Sequence, residues 1–401
     1  MDNILVEMTA LGSVAIALFG AAFCVMQTRH SRISRTFAVF LLAIALNNMP
    51  DAFIQMLAMF PRSYGATVDF ITMPSSFLLA PLFWLYVHVL TAPDQQMPTR
   101  LARHFALPAV AVLAAILVLL SPVSLRVALV GDELEPNSAW GMSLGVLVGL
   151  LHIAVFPQIA LYLVLIIRRL SEFRLTLREY YSSTERYELR WIYIIGGLGF
   201  SFWLTMVLVL FATVGFGETP PWVEAVASLA GFVLVSALTL WGIRQRPPLA
   251  PDAARGPAQT DAHAAGKYEK SALSPEASDR LSRKLRRAME VDHLHRDPNL
   301  SLWALARHTG ASSNYISQTL NEVMGESFFD FVNSYRIAEA KTLLATTDAS
   351  VLTITYDVGF NARSSFYNAF KRHTGQTPTN FRKELSQRDG LDDMNGQLGD
   401  T

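Results

Sequence analysis

Two short segments near the C-terminus place hydrogen-bonding side chains at the start of a predicted helix that follows a glycine turn. In the first segment, an apolar helical pattern from Leu302 ends at Gly310, and small polar residues follow from Ser312. In the second, the pattern from Ile354 ends at Gly359, and asparagine, arginine and serine residues follow. Such hydroxyl, amide and guanidinium groups can hydrogen bond to the edges of base pairs. Two helix-turn-helix units on one chain therefore predict contacts with two neighbouring segments of a major groove.

Local helix signals indicate the elements that must position these side chains. Ser274 followed by Pro275 is typical of a helix start, and Ser301 can cap the first helix of motif one. Ser327 opens a longer apolar pattern that runs to Leu344, and we expect this helix to connect the motifs and fix their spacing. The positions that we expect in the core are Leu302, Leu305, Ala306, Ile316, Leu320, Ile354, Val358, Phe366 and Phe370.

Two stretches of this region carry a specific resemblance. They read SLWALARHTGASSNYISQTLNEVMGESFFDFVNSYRIAEAKTLL and ITYDVGFNARSSFYNAFKRHTGQTPTNFR. From near Ala272 to Leu385, about 115 residues, the chain resembles the DNA-binding domain of the arabinose-regulator (AraC/XylS) family of bacterial transcription activators. The resemblance implies two helix-turn-helix units joined by a rigid helix, entering successive major grooves. Two positions depart from the family pattern: Tyr356, where a small residue is usual, and Ala362, where serine is usual. These departures put local packing or a phosphate contact in doubt.

The resemblance also implies which side chains meet DNA. Base contacts would come from the first turns of each second helix, namely Ser313, Asn314, Ser317 and Gln318 in motif one and Arg363, Ser364, Tyr367 and Asn368 in motif two. Arginine can bond O6 and N7 of guanine, and asparagine or glutamine can bond N6 and N7 of adenine. We expect phosphate contacts from Ser312, Asn361, Lys371, Arg372, Arg382 and Lys383. Helix caps are the alternative for the two polar residues of this set, and a solvated basic face is the alternative for the four basic residues.

Charge is distributed unevenly along the 401 residues, although the formal net charge is +0. Residues 1–266 contain no lysine, whereas residues 267–385 contain 16 Lys and Arg against 13 Asp and Glu. This mildly basic module is compatible with nucleic acid but does not identify it as the ligand. The single cysteine, Cys24, excludes an intrachain disulfide and is expected to pack in the apolar region.

The first 246 residues contain seven apolar segments of the length that a helix needs to cross a bilayer, about 20 residues. They are 4–27, 36–60, 67–90, 103–122, 140–167, 191–215 and 221–243. The loops after segments one, three and five, with the start of the linker and with Arg103 at the edge of segment four, hold 13 Lys and Arg, whereas the opposite loops hold only Arg62 and Arg126. By the positive-inside rule the N-terminus lies outside and the C-terminal half is cytoplasmic. We therefore expect a multi-pass protein of the bacterial inner membrane.

Several polar residues are predicted to lie at membrane depth, where such groups are costly. Asn47, Asn48 and Asp51 fall in the second segment, and His152 and Gln158 fall in the fifth. One interpretation is a small intramembrane sensor site for a ligand or a proton. The other is hydrogen bonding between helices that holds the bundle together.

The membrane region shows no motif that would make it an enzyme. It lacks an HExxH sequence, a P-loop and a nucleophile elbow. A retinal protein is excluded because these segments contain no lysine to form the Schiff base. We therefore expect no catalytic residue, no cofactor and no metal site.

The sequence thus predicts an all-α protein with a seven-helix transmembrane sensor domain (1–246), a flexible linker (247–274), an AraC-type DNA-binding domain (275–385) and a disordered acidic tail (386–401). The predicted function is a membrane-integral, one-component transcription regulator. Its expected partners are double-stranded DNA, the lipid bilayer, RNA polymerase and an unknown small-molecule or membrane signal, and a homodimer is left open. The alternatives are a membrane-stored factor released by proteolysis, and a receptor or transporter bundle whose C-terminal helices bind a protein.

Overall fold

The computed structural model describes residues 2–27, 31–92, 95–130, 138–184, 189–216, 221–244, 274–385 and 387. Within these ranges the chain is helical, and its single strand-like pairing is an isolated bridge between Tyr181 and Ser301. The expected all-α class is therefore confirmed for the described residues. The predicted linker, apart from Ser274, and the predicted tail, apart from Gln387, lie outside them.

The chain divides into two compact units. The first comprises Met1–Ser171 and Leu189–Ala250, and the second comprises Glu172–Glu188 and Pro251–Thr401. The segment between predicted spans five and six thus belongs to the same unit as the C-terminal domain.

The first unit is built from long apolar helices. Its described helices are α1 (Asp2–Met26), α2 (Ser31–Asn47), α3 (Met49–Ala52), α4 (Ile54–Ala58), α5 (Arg62–Thr72), α6 (Pro74–Thr91), α7 (Ala106–Leu119), α8 (Val123–Val130), α9 (Ala139–Tyr180), α10 (Arg190–Phe216) and α11 (Pro221–Gly242). The last residues of α9, from Glu172, are part of the second unit. A 3-10 turn, Leu101–Phe105, precedes α7.

Six helical stretches of the described residues, one of which joins α5 and α6, are long and apolar enough to cross a membrane: Ile4–Met26, Arg62–Thr91, Leu101–Leu119, Ala139–Tyr180, Trp191–Phe211 and Ala225–Gly242. The prediction of one continuous span over 36–60 is wrong. Helix α2 has 17 residues and ends at Asn47, and two short helices follow it. Pro50 lacks the N–H that would continue the helix by bonding to the carbonyl of Leu46. A seventh crossing stays a prediction.

Small residues allow close contact between α1 and α11 in the first unit. A Cβ atom at Gly20 would lie 2.5 Å from Cγ2 of Thr239, so a larger residue would force the helices apart. One end of the same contact carries a hydrogen bond of 2.5 Å between the hydroxyls of Thr9 and Ser228. Small side chains and hydroxyl hydrogen bonds are the usual means by which membrane helices associate.

The second unit contains shorter helices with amphipathic surfaces. They are α12 (Pro275–Glu290), α13 (Leu302–Thr309), α14 (Ser313–Gln318), α15 (Phe328–Thr346), α16 (Val351–Asp357) and α17 (Arg363–Thr374). A 3-10 turn, Leu294–Arg296, follows α12, a π-helical turn, Thr319–Met324, follows α14, and residues 378–385 are helical.

Helix α15 contributes to both hydrophobic cores of this unit. Its first half supplies Phe328, Phe331 and Val332 to a core shared with α12, α13 and α14. Its second half supplies Ile337, Ala340 and Leu344 to a core shared with α16 and α17. Ile316 and Phe366, one from each motif, are fully buried in these cores. One helix is therefore shared by the cores of the two motifs, as expected for the helix that connects them.

Candidate nucleic-acid interface

The first helix-turn-helix unit is defined by local caps. Ser301 Oγ accepts a hydrogen bond from the N–H of Ala304 at 3.3 Å, so the predicted cap of α13 is confirmed. Helix α13 ends at Gly310, whose φ of 68° suits a glycine. Ser312 Oγ then accepts from the N–H of Tyr315 at 3.2 Å and starts α14. The turn is thus fixed on both sides.

The second unit depends on a glycine in close contact with the rest of the domain. Gly359 has a φ of 94°, and a Cβ atom there would lie only 2.5 Å from the carbonyl oxygen of His295. The positive φ and the close contact with backbone therefore both require glycine at this turn. Helix α17 begins after Ala362, which makes no side-chain cap. Asn361 is not the cap of this helix, because Ala362 holds the cap position, and Asn361 Nδ2 instead donates to the carbonyl of Pro298 at 2.9 Å.

A fully buried arginine joins the two helix-turn-helix motifs of the C-terminal domain. Arg336 Nε donates to the carbonyl of His295 at 2.6 Å, and Nη2 donates to the carbonyl of Asp297 at 2.7 Å. Its guanidinium also lies 5.4 Å from the ring centroid of Phe360. Sequence reasoning missed this residue. The available signal was its position on the apolar face of α15, four residues before Ala340.

An ionic cluster covers the same junction. His295 Nε2 lies 2.7 Å from Oε2 of Glu339, and Arg296 Nε donates to Oε1 of Glu339 at 2.9 Å. Burial acts to raise the pKa of the Glu339 carboxyl, but the hydrogen bonds from Arg296 and His295 outweigh it and hold that pKa below its usual value. This cluster stabilises the relative placement of the two motifs when the carboxylate is charged.

The candidate base contacts of motif one lie along one side of α14. Asn314 is exposed, and Ser313, Ser317 and Gln318 are half-buried. Gln318 Nε2 donates to Oε2 of Glu322 at 2.9 Å, and Ser317 Oγ accepts from Nδ2 of Asn321 at 3.4 Å. The structure therefore places the four residues together on α14, and two of them make intrachain hydrogen bonds.

The candidate base contacts of motif two cluster around an arginine and a tyrosine. Arg363, Ser364 and Asn368 are exposed, and Tyr367 is half-buried. The Tyr367 hydroxyl accepts from Nη2 of Arg363 at 3.1 Å and is 3.2 Å from the hydroxyl of Thr379. The hydrogen bond with Thr379 lowers the pKa of Tyr367, burial opposes this, and Arg363 lowers it further. Thr379 was not predicted from the sequence, and it holds the Tyr367 hydroxyl that accepts from Arg363.

The candidate phosphate contacts fall into two groups. Ser312, Lys371 and Lys383 are exposed on the surface. Arg372, in contrast, pairs with Oδ1 of Asp330 at 2.5 Å, and Arg382 donates to the carbonyls of Leu344 and Thr347 at the end of α15. The geometry gives Arg382 a capping role in the domain itself.

The predicted intramembrane residues have mainly structural partners. Gln158 Nε2 in α9 donates to the carbonyl of Phe77 in α6 at 3.0 Å. That carbonyl has no helical partner because Pro81, four residues later, lacks an N–H. Gln158 therefore completes the backbone hydrogen bonding of a proline-containing helix, as is usual in membrane proteins.

Three of the other four candidates make hydrogen bonds within their own helix or to a neighbouring helix. Asn48 Nδ2 donates to the carbonyl of Ile44 at 2.9 Å, and His152 Nδ1 lies 2.8 Å from the carbonyl of Val148 on its own helix. Asn47 Oδ1 accepts from the hydroxyl of Ser75 at 3.3 Å. Asp51 is exposed. These contacts favour helix packing over a shared sensor site.

Comparisons with known proteins support a helix-turn-helix domain in the C-terminal part of the chain. Residues 305–384 match a family model described as "Helix-turn-helix domain". An uncharacterised HTH-type transcriptional regulator from Staphylococcus aureus (strain COL) is 34% identical over 99 residues, which are 25% of this chain and 13% of that protein. The melibiose operon regulatory protein of Escherichia coli (strain K12) is 32% identical over 92 residues, 23% of this chain and 30% of that protein.

The chain is also similar to a solved structure. The C-terminal domain of AraT, a response regulator from Geobacillus stearothermophilus, is 27% identical with a TM-score of 0.24, and the match covers 28% of this chain and 88% of that chain. The chain spans only 13% and 30% of the length of the two regulators described above. Residues 305–384 are an AraC-type helix-turn-helix domain, and its relatives are transcription regulators.

Proposed function

We propose that this protein is a membrane-integral, one-component transcription regulator that reads DNA with both helix-turn-helix units and responds to a signal received by its apolar helices. The observation that carries the proposal is the shared helix α15, which belongs to the core of both motifs. Two reading helices held at one separation are suited to two adjacent major-groove segments.

The reading surface has the chemistry that sequence recognition requires. Arg363, with five N–H donors in a fixed fork, matches the two acceptors of guanine, and Asn314 and Asn368 match adenine. All three side chains are exposed. Lys371 and Lys383, also exposed, supply charge for phosphates. Binding to double-stranded DNA is therefore favoured over binding to a protein partner.

The membrane part of the proposal rests on six described helices of sufficient length and on the distribution of basic residues. Arginine is concentrated in the segments that follow predicted spans one, three and five. With α2 as a further crossing, the N-terminus lies outside and the C-terminal domain lies in the cytoplasm of a bacterium, at its inner membrane. RNA polymerase and a second copy of the chain are the further partners that we propose.

The test is capture of genomic fragments by the full-length protein in lipid nanodiscs at two salt concentrations. We expect a recovered site with two preferred blocks about 10 to 10.5 bp apart. Arg363→Ala is the matched variant and should lose the preference within one block. Salt-sensitive capture without any preferred site would leave only phosphate attraction and would overturn the sequence-reading proposal. Immunoblots of cells with the active promoter should show full-length protein, since a shortened form would indicate release by proteolysis.

A further inference from the structure

Helix α9 is longer than a membrane crossing requires. Its 42 residues span roughly 60 Å at 1.5 Å per residue, about twice the thickness of a hydrocarbon core. Charged residues begin at Arg168 and recur to the end of the helix. From Glu172 onward the chain belongs to the second unit, which therefore receives the chain here as well as after the predicted linker.

The end of this helix and the residues after it contact the first helix-turn-helix unit. The ring of Tyr180 stacks on Trp303 of α13 with centroids 5.1 Å apart, and Tyr181 contacts the same indole edge-on. Tyr181 also forms the isolated bridge with Ser301. Next to it, the N–H and hydroxyl of Ser182 both donate to the carbonyl of Leu300, the hydroxyl at 2.8 Å.

Buried polar groups of α15 complete the contact. Arg336 Nη1 donates to the carbonyl of Ser182 at 3.2 Å, and Nη2 donates to its hydroxyl at 3.0 Å. Arg336 Nη1 also lies 3.3 Å from the hydroxyl of Ser183, and Asn333 Nδ2 donates to the carbonyl of Ser182 at 3.3 Å. Arg336 and Asn333 are fully buried, and Ser182 is 1% exposed. The arginine that joins the two motifs thus also binds this segment.

An acidic side chain of the segment lies next to the first reading helix. Glu179 Oε2 accepts from Nδ2 of Asn321 at 3.2 Å, and the same Nδ2 lies 3.4 Å from the hydroxyl of Ser317. Ser317 is a candidate base contact. A carboxylate two hydrogen bonds from a base-reading group disfavours the approach of a polyanion. The neighbouring Arg178 is directed elsewhere, with its guanidinium 5.3 Å from the ring centroid of Phe329.

We propose that residues 178–184 are an intrachain docking segment for the first helix-turn-helix unit, and that the docked state opposes DNA binding. The inference rests on the proposed function. In this proposal, helix α9 runs from the predicted membrane crossing into the docking segment, so the predicted linker is not the only connection between them. A change in α9 would then release or strengthen docking and so change promoter occupancy.

The first test traps the docked state in the full-length protein. In a Cys24→Ala background, which removes the single native cysteine, Tyr180→Cys and Trp303→Cys are joined by a cleavable bis-maleimide in nanodiscs. We expect high crosslinking yield, and binding of the genomically captured duplex about tenfold weaker in the crosslinked protein than after cleavage. Trp303→Cys alone is the control, and the reagent should leave its affinity for the duplex unchanged. Poor crosslinking of the double variant, or equal affinity before and after cleavage, would overturn the proposal.

The second test leaves the docking contacts in place and removes only charge. Glu179→Gln should bind the same duplex about three- to tenfold more tightly, with the gain shrinking at high salt. Glu172→Gln, the same change about 10 Å earlier on the same helix, should change affinity less than twofold. Equal effects of the two variants would contradict the assigned role of Glu179.

The two proposals fail in different ways. If the wild-type protein binds a preferred site but crosslinking and Glu179→Gln have no effect, the regulator stands and the docking inference falls. If neither the wild-type protein nor any variant binds duplex DNA, the proposed function falls, and with it the opposition between docking and DNA.

Discussion

The guanidinium of Arg363 lies 4.9 Å from the ring centroid of Tyr367 and donates to its hydroxyl at 3.1 Å. Tyr367 is itself held by the hydroxyl of Thr379. The arginine is exposed, and the ring and hydroxyl of Tyr367 set the direction of its guanidinium before any DNA arrives. Such preorganisation reduces the entropy that a flexible side chain loses on binding.

Arg363→Ala should weaken binding to the preferred site by about 1 to 3 kcal/mol and relax base choice at one position. Arg363→Lys should preserve overall charge but not the preference, because lysine lacks the planar fork that matches guanine. Fluorescence anisotropy with the full-length protein and four duplexes that differ at that base pair measures both effects. Unchanged discrimination among the four duplexes in Arg363→Ala would remove this residue from the reading surface.

Lys371→Ala is the matched control for a contact that carries no sequence information. It should weaken binding to all four duplexes equally and reduce the slope of log affinity against log salt by about 1. A loss confined to one duplex would instead indicate that Lys371 reads a base.

Gly359→Ala should destabilise the second helix-turn-helix unit. The substitution combines a φ of 94° with a Cβ position 2.5 Å from a backbone oxygen of His295, and we expect a loss of about 2 to 4 kcal/mol. Gly375→Ala is the control, because its φ is 80° but its surroundings are open, and it should cost only about 1 to 2 kcal/mol. Hydrogen exchange of α15 and α17 amides in the full-length protein measures the difference. Equal losses would show that the contact with His295 contributes nothing.

The sequence was sufficient wherever a feature depends on neighbouring residues. The predicted helix starts at Ser274, Ser301 and Ser327 are all confirmed by side-chain caps. The predicted core is also confirmed, except that Ala306 is only partly buried. Helix caps and apolar periodicity act over three to seven residues, so they can be recognised in a single sequence.

Features that depend on distant residues were not predicted. Arg336 and Arg382 are both basic residues in a basic module, yet one is buried at a junction and the other caps α15. The position of Arg336 on the apolar face of α15 was a weak local signal, and nothing within a few residues of Arg382 distinguishes it from a surface arginine. The docking of Ser182 was not predicted for the same reason, because its partners lie more than 100 positions away along the chain. The break near Pro50 was visible as a proline, but its effect on the length of α2 was not.

The junction between the motifs should weaken at low pH. The pKa of Glu339 is lower in the folded chain than in the unfolded chain. The stabilisation that its carboxylate gives to the fold is therefore complete above the unfolded-chain pKa of about 4.3. It is lost as the pH falls through the lower, folded value. We therefore expect hydrogen-exchange protection factors of α15 to fall in that window in the wild-type protein.

Glu339→Gln is the variant that isolates this carboxylate. The substitution removes the charge that binds Arg296 and His295. The α15 amides of the variant should therefore be less protected from hydrogen exchange than those of the wild type at pH 7. The difference should disappear at pH values where the wild-type carboxyl is protonated. A constant difference between the two proteins from pH 7 to below 4 would show that Glu339 acts through packing and not through its charge.

The hydrogen bond from Gln158 to the carbonyl of Phe77 should couple energetically to Pro81. Gln158→Leu leaves that carbonyl without its side-chain donor and should lower the thermal midpoint of the protein in nanodiscs. Pro81→Ala restores a backbone N–H four residues after Phe77, so Gln158→Leu should cost less in that background. The expected coupling is about 0.5 to 2 kcal/mol, the range of single hydrogen bonds between membrane helices. The same cost of Gln158→Leu in both backgrounds would mean that the glutamine has another role, and the sensor interpretation would then regain weight.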